Sequence, residues 1–298
     1  MHRSLLPLLV SLSPAILFLL PGIIVTQEGL WEDYKYGHGD LDNHNFCTWK
    51  CLLFTLQWPG TFCQSLNNVS LCRIPPTVNN WTIHGLWPLH AKNRCDCWPM
   101  FPSDVQELKA ELTELWPSFV RFKSNFHFWR EEWRKHGACA ACVEGMNSPL
   151  RYFQVCVKLR ARFNIHSLLE DAGITPSCER PYKVKVNKSN SDLGKDFSKP
   201  LMSSLPVEEV QSVLAPHVGD KLEIQCITDE QDRELWFQLK IRLNRNLTVG
   251  CDLCTDAEDA PKIQPGSRPV PSPGHPCPDR VPFYYFPINH ERPQRPCG

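Results

Sequence analysis

Apolar and polar positions along the chain divide it into strands and helices. Cys47 to Gln57 is apolar and aromatic, the pattern of a first sheet strand, and Trp58-Pro59-Gly60 ends it. Trp81 to Pro88 mixes β-branched and apolar residues and reads as a strand running into a turn. Leu222, Ile224 and Cys226, then Leu235, Phe237, Leu239 and Ile241, alternate as two strands around the turn-like Thr228 to Arg233. Helical spacing appears elsewhere. Pro102-Ser103 opens a helix with Ser103 as N-cap and Gln106 at N3, Leu108, Leu112 and Leu115 form its buried stripe, and Trp116-Pro117 stops it. Ser148-Pro149 opens another, on which Tyr152, Phe153, Cys156, Leu159 and Phe163 recur. Ser167 with Glu170 makes a short capped helix closed by Gly173, and Pro206 to Ala215 reads as one more. These stripes are core and carry no chemistry. Strands and helices in this order give an α+β chain.

The flanks differ from this body. Residues 4–25 are an apolar run behind His2 and Arg3, so residues 1–26 read as a secretory signal peptide. The competing reading is a signal anchor, which three prolines in the run disfavour. Residues 27–45 are a polar, flexible lead in which His38 and His44 are solvated. The main domain spans 46–254, and within it the lysine-rich stretch 183–200 reads as a solvated loop or, alternatively, as an attractor for RNA. Residues 255–276 are rich in Pro, Ser, Gly and charge and form a linker. Aromatic content returns in 277–298, which rejoins the body. No internal repeat is visible.

Composition narrows the function classes. With 298 residues and 42% hydrophobic content the chain can bury a real core. Thirty-two basic against 32 acidic residues exclude nucleic-acid binding through a broad basic surface, so any RNA contact is local. Fifteen cysteines imply an oxidising compartment. Four sequons, at Asn68, Asn80, Asn187 and Asn246, agree with a secretory route as glycosylation sites. Zinc is a sharper alternative for Cys95-x-Cys97 and Cys139-x-x-Cys142, which together offer four thiolates, but the secretory features favour disulfides and no metal site.

Chemistry concentrates in Phe128 to Cys139. On a helix, Glu132, Lys135 and His136 fall at i, i+3 and i+4, so a carboxylate, an ammonium and an imidazole share one face, and Gly137 would close the helix in the left-handed conformation. His84, on the strand ending at Pro88, is a second imidazole. Two histidines suit a reaction in which one proton is removed and another delivered, because only imidazole titrates near working pH unperturbed. Phosphodiester cleavage in RNA needs that pair plus a cation at phosphorus, and Trp87 offers a flat face for a base. The other histidines of the body, His90, His127, His166, His217, His275 and His290, are read as structural.

Trp81-Thr82-Ile83-His84-Gly85-Leu86-Trp87-Pro88 and Phe128-Trp129-Arg130-Glu131-Glu132-Trp133-Arg134-Lys135-His136-Gly137-Ala138-Cys139 resemble the two active-site segments of the ribonuclease T2 family of secreted acid endoribonucleases. Phe54-Thr55-Leu56-Gln57-Trp58-Pro59 with Cys63, Ile224-Gln225-Cys226 and Pro282-Phe283-Tyr284 are similar to other strands of that family, so the resemblance covers about residues 46–286. It departs at Glu131, where the family carries a third histidine, and at Ala138, where it carries threonine.

The resemblance implies an antiparallel sheet core with several packed helices, stapled by Cys63–Cys72, Cys95–Cys139 and Cys226–Cys277. A parallel Cys97–Cys142 bridge is a further expectation. It implies His84 as general acid, His136 as general base, Glu132 and Lys135 on the phosphate, and Trp87 on the base. Single-stranded RNA would be cleaved through a 2′,3′-cyclic phosphate to 3′-phosphate ends, without a cofactor, an obligate protein partner or stable membrane insertion, in a secreted or lysosomal setting. Glu131 would repel phosphate, with Arg130 and Arg134 placed to offset it, so the alternative is a weakened or inactive RNA-binding relative. A disulfide-rich structural protein without RNA affinity is a third reading.

Overall fold

The computed structural model describes residues 47–66, 68–91, 95, 98–184, 210–252, 274–279 and 281–298. The signal peptide, the lead, Asn187, most of the lysine-rich stretch, nearly all of the linker, Cys97 and Cys254 lie outside the described residues. Among the described residues no helix is long and apolar enough to cross a membrane.

The frame is one seven-stranded sheet. Its strands are β1 (Cys51–Gln57), β2 (Thr82–Pro88), β3 (Pro181–Tyr182), β4 (Glu223–Thr228), β5 (Glu234–Asn244), β6 (His275–Pro276) and β7 (Phe283–Tyr284). The order is β2-β1-β5-β4-β6, with β7 against β5 and β3 against β7, and every pairing is antiparallel except the short β5–β7 contact. The helices are α1 (Lys109–Leu115), α2 (Asn125–Glu132), α3 (Pro149–Arg162), α4 (Ile165–Asp171) and α5 (Val210–Val218). β1 is buried along its whole length, which is why it lacks polar–apolar alternation. Phe54 on its helix-facing side packs near Phe163 at the end of α3, and Trp116, Trp133, Tyr152 and Phe153 fill the layer between α1 and α3. The Tyr152 hydroxyl donates to the Leu86 carbonyl at 2.8 Å, tying α3 to the end of β2.

A second aromatic cluster anchors the C-terminal segment. Trp58, Trp81, Trp236 and Tyr285 pack ring against ring, Trp58 Nε1 donates to the Phe286 carbonyl at 2.7 Å, and Trp81 Nε1 donates to the Tyr285 hydroxyl at 3.0 Å. His275 and Pro276, placed in the linker by composition, form β6 beside β4, and His275 Nε2 sits 2.8 Å from a carboxylate oxygen of Glu234.

Several local expectations are corrected. The helix at 102 is a 3₁₀ stretch, Pro102–Leu108, that runs into α1. Its start is held by Asp104, which accepts from the Phe101 backbone N–H at 2.7 Å, and not by Ser103. Leu115 is half-buried, while Leu108 and Leu112 face the core. α4 is capped by Asn164, whose Oδ1 accepts from the Ser167 N–H, so Ser167 is the third helical residue and not the cap. Gly173, at φ +76°, closes it as expected. α5 starts at Val210, and residues 206–209 lie outside the described residues.

Among the described residues six disulfides staple the body. Cys63–Cys72, Cys95–Cys139 and Cys226–Cys277 join the pairs that the resemblance implies. The expected Cys97–Cys142 bridge does not form, because Cys142 is bonded to Cys47. Cys51–Cys251 and Cys178–Cys297 close long loops that spacing alone leaves open. Cys95, Cys139 and Cys142 are therefore consumed in disulfides, which removes three of the four thiolates the zinc alternative needs. Cys156 is a buried free thiol.

Candidate active site

His84 owes its place to a fault in the β1–β2 ladder. Thr55 pairs with Gly85 and Leu56 with Ile83, which leaves His84 as the extra residue of a bulge. A bulge puts two consecutive side chains on one side of a strand and re-aims the first of them. His84 accordingly lies against Trp87, ring centroids 5.1 Å apart and nearly perpendicular, with Phe128 of α2 at 6.0 Å. Gly85 has no room for a side chain: a Cβ there would collide with Trp87 Nε1 and Glu132 Oε2.

α2 supplies the opposite wall. Ser124 Oγ accepts from the His127 N–H at 3.2 Å and starts the helix. The α-helix ends at Glu132, and Trp133–Gly137 form a single π turn. Such a turn inserts an extra residue and is frequent at functional sites. Glu132 and His136 both meet Trp87: Glu132 Oε2 accepts from Trp87 Nε1 at 2.9 Å, and the His136 ring lies 5.2 Å from the indole at 34°. Lys135 pairs with Glu131 at 3.6 Å beside the pocket, close enough for its charge to act on His84, Glu132 and His136. Gly137 is right-handed, at φ −62°, and the backbone continues into a helical turn at Ala138–Ala140. Glycine is required there because a Cβ would run into the ring of Trp133. The end of the segment is fixed by Trp49 Nε1, which donates to the Cys139 carbonyl at 2.9 Å, and by the Cys95–Cys139 bridge.

Burial sets the charges. His84 is lowered to about 3 by burial first, and then by the positive charges of His136, Lys240, Lys135 and Lys123. Burial, with Lys135, lowers His136 to about 4. Glu132, 5% exposed, is raised to about 7 by burial, against the Trp87 hydrogen bond and the Lys135 charge. A buried carboxyl that is neutral in acid can donate a hydrogen bond as well as accept one.

Glu131 does not stand uncompensated. Lys123 Nζ lies 2.9 Å from Oε2, His127 Nε2 lies 3.0 Å from Oε1, and Lys135 Nζ lies 3.6 Å from Oε2. Partial burial pushes this carboxyl up, but the Lys123 hydrogen bond and the charges of Lys123, Lys135 and His127 outweigh it and hold the group below the usual range. The flanking arginines are not the counter-charges: Arg130 lies over the Phe126 ring and Arg134 is exposed. Lys123 is eight residues from Glu131 and offers no signal in sequence, whereas His127 sits one helical turn before it and was legible as an i, i+4 partner.

Two imidazoles and a buried carboxyl gather around one indole at the edge of the sheet with basic side chains alongside, an arrangement able to take up one proton and deliver another. The ribonuclease T2 family model matches residues 49–190. Human ribonuclease T2 is 30% identical over 235 residues, covering 77% of this chain and 75% of its own. Ribonuclease Oy of Magallana gigas is 26% identical over 250 residues, 81% and 98% of the two chains. The crystal structure of human RNase T2 superposes with a TM-score of 0.57 at 28% identity, covering 80% of this chain and 99% of that one. The chain belongs to the ribonuclease T2 family, and its enzyme class is that of the T2-type endoribonucleases.

Proposed function

We propose that this chain cleaves single-stranded RNA by transphosphorylation, with His136 as general base, His84 as general acid, and a 2′,3′-cyclic phosphate as the first product. The observation that carries the reading is the placement of both imidazoles on the ring of Trp87, whose N–H holds Glu132. Neutral His136 takes the proton of the ribose 2′-hydroxyl as that oxygen attacks phosphorus. Protonated His84 gives a proton to the departing 5′-oxygen. Lys135 balances the charge that grows on the phosphoryl oxygens, and Glu132, neutral in acid, donates a hydrogen bond to one of them. Trp87 positions all three groups, and a base stacks where its ring stays open. Water then opens the cyclic phosphate to a 3′-phosphate, with the two histidines exchanging roles. No cofactor or protein partner enters these steps.

Labelled single-stranded RNA incubated in acid with EDTA tests the proposal. Cleavage to 2′,3′-cyclic ends supports it, and retained binding without cleavage would establish the inactive RNA-binding relative instead. The pH dependence follows from the two imidazoles. Both titrate below the ordinary imidazole value, so at neutral pH both are neutral and the acid is missing. As pH falls toward 4 the first proton enters the pair, mainly on His136, and the form that carries it on His84 is the working minority; below about 3 both rings are charged and the base is lost. The value of kcat/KM for the free enzyme should therefore peak in acid and fall about tenfold per pH unit on the alkaline side. A flat profile from pH 4 to 8 would contradict it.

Glu131 is the natural variable. Its carboxylate engages Lys123, Lys135 and His127, groups on which an RNA phosphate would otherwise draw. Glu131→Gln should lower KM for RNA about three- to tenfold at low salt, the scale of two or three partly exposed ion pairs released to a new anion. Glu131→His, which restores the residue expected from the family, should raise kcat/KM at least as much in acid. Unchanged constants for both would mean that the position is tolerant.

We also propose passage through the secretory pathway, from the six disulfides and the sequons. Asn68 and Asn246 are exposed and favoured as glycan sites, whereas Asn80 is half-buried with its Oδ1 bonded to the Trp81 N–H at 2.6 Å. Secretion or lysosomal delivery both fit an acid optimum.

A further inference from the structure

His84 has a partner from outside both active-site segments. Gln238 of β5 reaches across β1, and its Nε2 lies 2.6 Å from His84 Nδ1. The side chain is 4% exposed, and its backbone is fixed on both sides by pairing with Gln57 and Gln225. The paired backbone fixes where the side chain reaches, while its terminal amide can still turn over to present either Nε2 or Oε1. Its neighbour two residues on, Lys240, is half-buried and acts on His84 from the same strand.

We propose that Gln238 is a positioning residue for His84: its amide occupies Nδ1 and leaves Nε2 as the only ring nitrogen that can exchange a proton with RNA. The inference rests on the acid role given to His84 above. An amide nitrogen only donates, so the neutral ring accepts at Nδ1 and carries its hydrogen on Nε2. When His84 takes its second proton, at Nδ1, the amide turns over and Oε1 accepts from Nδ1–H. Transfer of the Nε2 proton to the departing oxygen then leaves the ring neutral with its hydrogen on Nδ1, still bonded to Oε1. Return to the resting state moves that hydrogen through solvent to Nε2 and restores the amide. Proton count is conserved at every step, and the ring need not rotate.

The charges around His84 explain why an amide suits the position. The charged groups that act on it are His136, Lys240, Lys135 and Lys123, all basic. A carboxylate at residue 238 would favour the charged ring over the neutral one, whereas an apolar residue would leave Nδ1 buried and unpaired. Only a group that both donates and accepts follows the ring through the cycle.

The first measurement needs no variant. In ¹⁵N-histidine spectra of the intact protein at pH 7, His84 should be the Nε2–H tautomer; an Nδ1–H tautomer there would overturn the proposal. Gln238→Met should then give a mixture of tautomers and a kcat about 10- to 100-fold lower at nearly unchanged KM, the scale of a misplaced catalytic group. Gln238→Glu should raise the His84 pKa by about one unit or more and carry the alkaline limb of kcat upward with it. If Gln238→Met does not fold, the tautomer of the parent protein and the Gln238→Glu titration still decide. A parental kcat in folded Gln238→Met, or an unmoved His84 titration in Gln238→Glu, would overturn the proposal. Full activity in His84→Ala would instead remove the acid assignment while leaving the tautomer result standing, so the two failures are distinguishable.

Discussion

His84→Ala and His136→Ala are each expected to cleave RNA about 10²–10⁴-fold more slowly than the parent chain, the contribution of one positioned proton-transfer group. Melting temperature should change little in His136→Ala, whereas His84→Ala leaves the buried Gln238 amide without its ring partner and should lower it modestly. The two losses should not multiply. Base and acid act in one concerted displacement, and removing either leaves the other without its step, so the double variant should be about as slow as the slower single. The singles should differ in pH behaviour. Without His136 the acid limb should vanish, and without His84 the alkaline limb should, since each limb reports the group that remains useful only on one side. Initial rates on a defined oligonucleotide across pH 3 to 8 separate these outcomes. Near-parental turnover in either single variant would remove that histidine from the mechanism.

The two active-site segments were legible because their chemistry is local: a histidine in an apolar strand, and a carboxylate, an ammonium and an imidazole within one turn and a half. What joins them was not. The bulge that frees His84 depends on which residues of β1 face β2, a fact of register between segments almost thirty residues apart. The π turn is unsigned in sequence, and Gly137 there imitates a helix stop because the same residue also serves close approach to Trp133. Gln238 sits in a strand whose apolar alternation was read for its core face only, yet it is that strand's polar residue that reaches the site. Caps were misplaced by one to three residues where two candidates compete, as Ser103 does with Asp104 and Ser167 with Asn164, since either side chain can satisfy the free backbone N–H groups and only packing chooses. The sequence offers Arg130 and Arg134 as the charges that offset Glu131, because its Lys123 partner arrives from the loop before α2.

Replacing Cys95 and Cys139 together by serine should lower stability by roughly 3–4 kcal/mol, the chain-entropy value for the loop this bridge closes, whose ends are 44 residues apart in sequence. For a domain of this size that corresponds to a fall of roughly 6–16 °C in melting temperature. The bridge has a second duty. Cys139 follows His136 by three residues and lies just beyond the π turn, and its carbonyl accepts from Trp49 Nε1. With the covalent tie cut, that hydrogen bond and the Cys47–Cys142 bridge still hold the backbone on the far side of the turn. The geometry at His136 should therefore survive at temperatures well below the new transition, and kcat there should fall less than tenfold, far less than in His136→Ala. Calorimetry and initial rates on the same preparation give both numbers. A melting temperature unchanged by the double substitution would show that the loop is held by packing alone, and a collapse of kcat in a still-folded protein would show that the bridge sets the position of the imidazole itself.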